Sequence, residues 1–372
     1  MASTSEGTLV TIALTGSNGF LGWHTRVLAH SLGRTTERIA LGEKFEADAA
    51  TSTLENAGTL VHLAGVNRGD DETVRGGNVQ FAEQLALALD NASTKPTTVV
   101  YANSIQAGNG SPYGLGKQEA GKILEDAARR AGARFVDVRL PNLFGEHGLP
   151  FYNSVVATFC HLAASGKPLQ VQGDKELLLL HSQTAAEVLL GLREPEDALG
   201  LATTKLVSEV AALIQKTADC YSSGTIPDIS EPFERDIFNT YRSFLVGDRL
   251  PISLDRKEDA RGAFFEVVRS GGGQGQSSFS TTVPGVTRGQ HYHRRKIERF
   301  TVLSGAGEIS MRKLFTDEVV TYHVDGQNPV AIDMPTMWSH KITNTGPDKL
   351  YTMFWINEIF DPTSPDTFPE EV

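Results

Sequence analysis

Near residue 250 the chain changes its period, and that change constrains the fold more than any other feature. Before it, short apolar runs at Leu9–Leu14, Arg38–Glu43, Leu60–Gly65 and Thr98–Ala102 alternate with helix-like segments. Helices are predicted through about Ser31, over Asn78–Leu89, and from the Pro112–Lys117 segment to about Ala131. Strands that are apolar on both faces and alternate with helices predict a doubly wound parallel sheet. After Gly247–Pro251, which reads as a linker, only short strands follow: 263–269, 275–283, 300–303, 308–314, 319–324, 330–334 and 350–358. Close-spaced strands without helices predict an antiparallel barrel or sandwich. Two domains are therefore expected, 1–246 and 252–372, and a length of 372 residues suits that number.

The first strand breaks into Gly16-Ser17-Asn18-Gly19-Phe20-Leu21-Gly22. Glycines between a first strand and a helix let the backbone approach a pyrophosphate at the positive helix end, so this turn is a candidate dinucleotide site. Leu63-Ala64-Gly65, ending a later strand, would lie beneath the cofactor. About 20 residues beyond the glycines, Glu43 would favour the ribose hydroxyls of NAD, whereas Lys44, Arg34 or Arg68 would accept the phosphate of NADP. Spacing leaves that choice open.

Tyr113 and Lys117 are four apart at the opening of a helix and share a face. A phenol ionises near pH 10, and an adjacent ammonium would lower that value and make it a usable proton carrier. Lys117 could also grip the nicotinamide ribose. Ser104, on the loop after the preceding strand, can hydrogen-bond a substrate carbonyl that Tyr113 protonates as hydride arrives. These three are the candidate catalytic residues.

In the second half, His291 and His293 are spaced to share a strand face, Glu298 follows after a short turn, and His340 comes from a later strand-rich segment. Three imidazoles and a carboxylate form a site for zinc or another borderline divalent metal. Lys296, Tyr292 and Glu266 are candidate bases nearby. The tail from Asp361 is expected to be irregular and packed on the surface.

A formal charge of −11 and the lack of long basic runs exclude a general nucleic-acid binder. Two cysteines, Cys160 and Cys220, make no disulfide framework and fit a reducing cytoplasm. The polar N-terminus does not read as a signal peptide, and no apolar run is long enough for a membrane helix.

The glycine turn with Ser104, Tyr113 and Lys117 resembles the extended, nucleotide-sugar-modifying branch of the short-chain dehydrogenases/reductases, and Arg139-Leu-Pro-Asn-Leu-Phe-Gly145 matches the point where that branch leaves its Rossmann-like sheet for a substrate lobe. Gly285-x5-His291-x-His293-x4-Glu298-x6-Gly305 and Pro335-x4-His340-x3-Asn344 resemble the two cupin motifs, which implies a metal-binding jelly-roll barrel. Met337 stands where the second motif usually has glycine. The order of the two halves, with Leu63–Arg68, Tyr152–Cys160, Asp259–Gly262 and Trp355–Pro362, is similar over nearly all of the chain to the CapF family of bifunctional capsular-polysaccharide enzymes.

The resemblance implies a UDP-linked 2-acetamido-2,6-dideoxy-4-keto-hexose as substrate. It further implies C3 epimerisation in a zinc-binding cupin, NADPH-dependent C4 reduction in the first domain to a UDP-N-acetyl-6-deoxy-talose, and a homodimer. Two alternatives remain at this stage. One is a nucleotide-sugar epimerase or dehydratase fused to a cupin oxygenase or isomerase; the other is a non-catalytic sensor of a dinucleotide and a sugar.

Overall fold

A computed structural model describes residues 11–247 and 249–372. The expected strand positions Leu9 and Val10, the N-terminal residues before them, and Asp248 of the linker lie outside the described residues. The chain divides into two compact units, 1–143 with 177–204, and 144–176 with 205–372.

In the first unit, β1 (Ile12–Thr15), α1 (Phe20–Ser31), β2 (Thr36–Ile39), α2 (Ala47–Glu55), β3 (Thr59–His62), α3 (Asp71–Asn91), β4 (Thr98–Ser104), α4 (Pro112–Arg130) and β5 (Arg134–Leu140) follow in order. The strands make a five-stranded sheet in the order β2-β1-β3-β4-β5, parallel throughout. Side chains alternate across it. Ala13, Leu60, Val99 and Tyr101 enter one core with α2, α3 and α4. Ile12, Leu14, Val61, Val100 and Ala102 enter a second core on the other face. This is the Rossmann-like α/β fold expected from the sequence.

Two boundaries differ from the sequence reading. The second strand stops at Ile39, because Gly42 at φ +73° starts a one-turn 3-10 helix over Gly42–Lys44. The third helix begins seven residues earlier than Asn78, at Asp71, where the Asp70 carboxylate caps it by accepting from Thr73 N at 2.8 Å. Gly77 sits inside it because a Cβ there would lie 2.7 Å from the Val66 side chain.

The chain continues through β6 (Asn142–Phe144), α5 (Val155–Ala164), β7 (Glu176–His181), α6 (Ser182–Leu189), α7 (Asp197–Gly200), β8 (Thr203–Leu206), α8 (Val207–Ser222) and α9 (Pro232–Arg242). β6, β7 and β8 form a three-stranded sheet. The rest is strand: β9 (Ile252–Ser253), β10 (Lys257–Asp259), β11 (Gly262–Phe264), β12 (Gln276–Thr282), β13 (Thr287–Tyr292), β14 (Glu298–Ser304), β15 (Ala306–Lys313), β16 (Val319–Asp325), β17 (Val330–Met334), β18 (Trp338–Asn344), β19 (Leu350–Ile356) and β20 (Phe368–Pro369).

Apart from the β10/β11 hairpin, these strands form two five-stranded antiparallel sheets, β12-β19-β14-β17-β9 and β16-β15-β18-β13-β20. Phe300, Val302, Ile332 and Met334 of the first sheet share one apolar core with Ile309, Met311, Tyr322 and Ile342 of the second. The second half is thus all-β, as expected. The strand predicted over 263–269 is only the exposed hairpin arm Gly262–Phe264, which has no core to face. The tail is not irregular throughout, since β20 pairs with β13.

The reverse face of β14 also decides how the second unit is assembled. Arg299 and Asp333 of β17 are each about 1% exposed and paired at 2.6 Å. Helix α8 covers them: the Tyr221 hydroxyl donates to Asp333, and Arg299 donates to the Gly224 carbonyl at 2.7 Å. From α9, Arg242 donates to the Met334 carbonyl at 3.0 Å and Asn239 to the Arg295 carbonyl at 3.0 Å. Segments 205–246 therefore belong with the double sheet in the second compact unit.

Candidate functional site

The glycine turn is built without side chains because there is no room for them. A Cβ on Gly16, which has φ +65°, would lie 2.8 Å from Ala64 N, and one on Gly22 would collide with the Gly16 carbonyl oxygen. Gly19 N donates to that same carbonyl at 2.9 Å, turning the chain into α1. Helix α1 opens with no side-chain cap and no acidic residue in its first turn, which leaves its positive end facing outward from Gly19, Phe20 and Leu21. Thr15 Oγ1 accepts from Leu63 N at 3.0 Å and Ala64 N at 3.1 Å, so the turn and the Leu63-Ala64-Gly65 loop are held together. Asn78 clamps the far side, accepting from Val66 N and donating to Val66 O at 2.7 Å. Neither Thr15 nor Asn78 was singled out from sequence; a hydroxyl closing the first strand was the available signal for Thr15.

Ser104 ends β4, and Tyr113 occupies the first turn of α4, which is capped by Ser111 accepting from Gly114 N at 3.0 Å. The Ser104 hydroxyl accepts from Gln106 N at 3.2 Å. Burial raises the Tyr113 pKa, and the nearby Ser104 hydroxyl opposes the rise. The lowering expected from Lys117 is not found. Lys117 is buried, donates to the Ala102 carbonyl at 2.7 Å, and lies 4.2 Å from the centre of the Tyr101 ring. Burial pushes its amine down to about 7, with Asp137 opposing. Lys117 thus fastens the end of β4 two residues before Ser104. His62 stacks on Tyr101 with ring centres 5.4 Å apart and is pushed down to about 3, by burial first and by Lys117 second. The 3-10 turn carries Glu43 and Lys44 just beyond β2.

In the second unit, His291, His293, Glu298 and His340 place one ligand atom each within 4.8 Å of one another. Period-two alternation alone does not produce this. A β-bulge at Gln290, φ +62°, shifts the register so that His291 pairs across from His340, and His293 lies just past the end of β13. Glu298 Oε2 lies 2.9 Å from His293 Nε2, 3.1 Å from His340 Nε2 and 3.9 Å from His291 Nε2. The other ring nitrogens of two histidines meet carbonyls: His293 Nδ1 with Asp366 at 2.6 Å and His340 Nδ1 with Trp338 at 3.2 Å. A carbonyl only accepts, so Nδ1 carries the proton and each Nε2 keeps its lone pair for the cluster. Burial would raise the Glu298 carboxyl, but the three histidine rings around it hold it well below the usual range. His340 is pushed down to about 4 by burial, against Glu298. An ionised carboxylate with neutral imidazoles is the donor set of a divalent metal, and the four residues fit zinc.

The candidate bases separate clearly. Tyr292 is fully buried with its ring stacked on Phe368, and the Lys296 ammonium donates to the Pro365 carbonyl and the Thr367 hydroxyl. Glu266 is exposed and paired with Arg269. Met337, in the place of the motif glycine, takes φ +62° while fully buried, with its N–H donating to the His293 carbonyl at 2.7 Å.

A UDP-2-acetamido-2,6-beta-L-arabino-hexul-4-ose reductase of Pseudomonas aeruginosa is 30% identical over 366 residues, spanning 96% of this chain and 97% of the relative. The chain belongs to the family of that reductase. The crystal structure of the capsular polysaccharide assembling protein CapF from Staphylococcus aureus matches with 32% identity and a TM-score of 0.62, covering 97% of this chain and 100% of that one. Residues 12–190 match the NAD dependent epimerase/dehydratase family, and 257–368 match the polysaccharide biosynthesis C-terminal domain. The spore coat polysaccharide biosynthesis protein SpsL of Bacillus subtilis is 26% identical over 122 residues, 30% of this chain and 81% of that protein. The chain is accordingly an enzyme of the epimerase/reductase class, with a nicotinamide cofactor implied by its first half. Among the described residues, no helix is long and apolar enough to cross a membrane.

Proposed function

We propose that the chain epimerises C3 of a UDP-linked 2-acetamido-2,6-dideoxy-4-keto-hexose in the double-sheet half, read as a zinc-binding cupin, and then reduces C4 with NADPH in the first half. The glycine turn between β1 and α1, together with Ser104 closing β4 and Tyr113 and Lys117 opening α4, carries the reductase half of this reading. Chemistry orders the two steps: the C3 proton is acidic only while C4 is a ketone, so reduction must come second and locks the configuration.

Bound NADPH would supply the hydride to C4. Tyr113, kept protonated at neutral pH by burial, gives its proton to the C4 oxygen as that oxygen gains charge. Ser104 orients both the phenol and the carbonyl. Gly16, Asn18, Gly19, Phe20, Leu21 and Gly22 would receive the pyrophosphate, Leu63-Ala64-Gly65 would line the cofactor, and Lys117 would meet its ribose while holding β4. In the barrel, His291, His293, Glu298 and His340 would hold zinc, whose charge favours negative charge on a nearby oxygen. His291 is the most exposed of the four and marks the side from which a sugar would enter.

Incubation with the UDP-4-keto sugar in heavy water tests both halves. Deuterium should enter at C3 without NADPH, and a reduced deoxy-sugar nucleotide should form with it. Tyr113→Phe should cut reduction by roughly 100-fold or more and leave exchange intact. Loss of both activities in a folded Tyr113→Phe variant would refute the division of labour.

A further inference from the structure

The segment after Asp361 binds both flanks of the histidine motif. β20 pairs with the end of β13, Pro369 opposite His291 and Phe368 opposite Tyr292. Glu370 N donates to the Gln290 carbonyl at 2.9 Å, at the bulge that aims His291. Before the pairing begins, Asp366 is 5% exposed with φ +45°. Its carbonyl accepts from His293 Nδ1 at 2.6 Å. Its carboxylate accepts from three successive backbone N–H groups, those of Arg294, Arg295 and Lys296, at 3.2, 2.9 and 2.8 Å. The stretch linking His293 to Glu298 is therefore gripped by one residue 70 positions away.

We propose that the segment Pro365–Glu370 is a strap that sets the metal affinity of the barrel, with Asp366 as a positioning residue for His293. Its carbonyl fixes the ring orientation and the proton on Nδ1. Its carboxylate, charge-assisted to three N–H donors, fixes the carbonyl itself. Partners of this kind orient metal-ligating histidines, and losing one typically weakens metal binding by about 10–100-fold. The inference rests on the reading of the four residues as metal ligands.

The test is Zn2+ titration of the full chain, stripped of metal, in competition with a chromogenic chelator. Asp366→Gly accepts the left-handed backbone but loses the carboxylate, and should bind Zn2+ about 10–100-fold more weakly. Asp366→Asn keeps an acceptor and the left-handed tolerance and should recover most of that loss. His293→Ala is the control for the ligand reading. If the wild type binds no Zn2+, or His293→Ala binds it unchanged, the ligand reading falls and takes the strap with it. If His293→Ala loses binding while Asp366→Gly binds as the wild type does, the ligand reading stands and the strap is overturned. A second measurement needs no variant to fold: nitrogen-15 spectra of the wild-type histidines should show His293 protonated at Nδ1 with and without Zn2+, and a proton on Nε2 in the Zn2+-loaded chain would overturn the proposal.

Discussion

Lys117 is a buried amine whose pKa stands near 7 instead of the ordinary 10.5. Below about pH 7 both the folded and unfolded chains hold the proton, and the cost of burying it is felt in full. Between 7 and 10.5 the unfolded chain holds a proton that the folded chain has released, so this group makes stability rise with pH. At about 1.4 kcal/mol per unit the gain amounts to several kcal/mol. Urea unfolding at pH 7, 8.5 and 10 should show the rise in the wild type relative to Lys117→Met, which lacks the titrating amine. Met337 offers a second check at this scale. Truncating a buried Met costs about 2–5 kcal/mol, and a left-handed non-glycine residue stores about 1–3 kcal/mol of strain. Packing outweighs strain, so Met337→Ala and Met337→Gly should both destabilise. The glycine variant should be less damaging by about 1 kcal/mol, because only it also relieves the backbone. A glycine variant as unstable as the alanine one would remove strain from the account.

At the scale of elements, β1, β3 and β4 could be read from sequence because both faces are buried, which makes the runs continuously apolar, whereas the half-exposed β2 was placed too late and β5, with charged residues among its apolar ones, was missed. Turn chemistry was readable too: a Gly22→Ala side chain would meet a backbone carbonyl that cannot move aside, and NADPH titration should show binding weakened by at least about tenfold. The four candidate ligands were readable as residue types, but the bulge that makes His291 face His340 was not, since Gln290 carries no sign of a left-handed backbone. Asp366 was equally hidden. Its bond to His293 runs through the main chain, which leaves no composition signal, and its carboxylate looks like any acid in a proline-rich tail. The expected Lys117–Tyr113 coupling failed for another reason. Sharing a helix face brings two side chains near, but burial decided their states, and Lys117 turned to the Ala102 carbonyl.

For the whole molecule, the change of period near residue 250 marked where one fold class gives way to another, and said nothing of which helices cover the second sheet. Charged Arg299 and Asp333 in a strand pattern suggest a solvent face; they are sealed by α8 instead. Removing one partner of such a pair strands a buried charge, so Asp333→Leu should cost about 3–5 kcal/mol, and Arg299→Met combined with Asp333→Leu should cost less than Asp333→Leu alone. Chemical unfolding curves of the two variants decide it. The same seal governs what a protease would do. A single cut between 247 and 251 severs the only covalent thread between α9 and the double sheet, but leaves the Tyr221, Arg242 and Asn239 bonds in place. The nicked protein should run as one particle on gel filtration in buffer and as two fragments in urea.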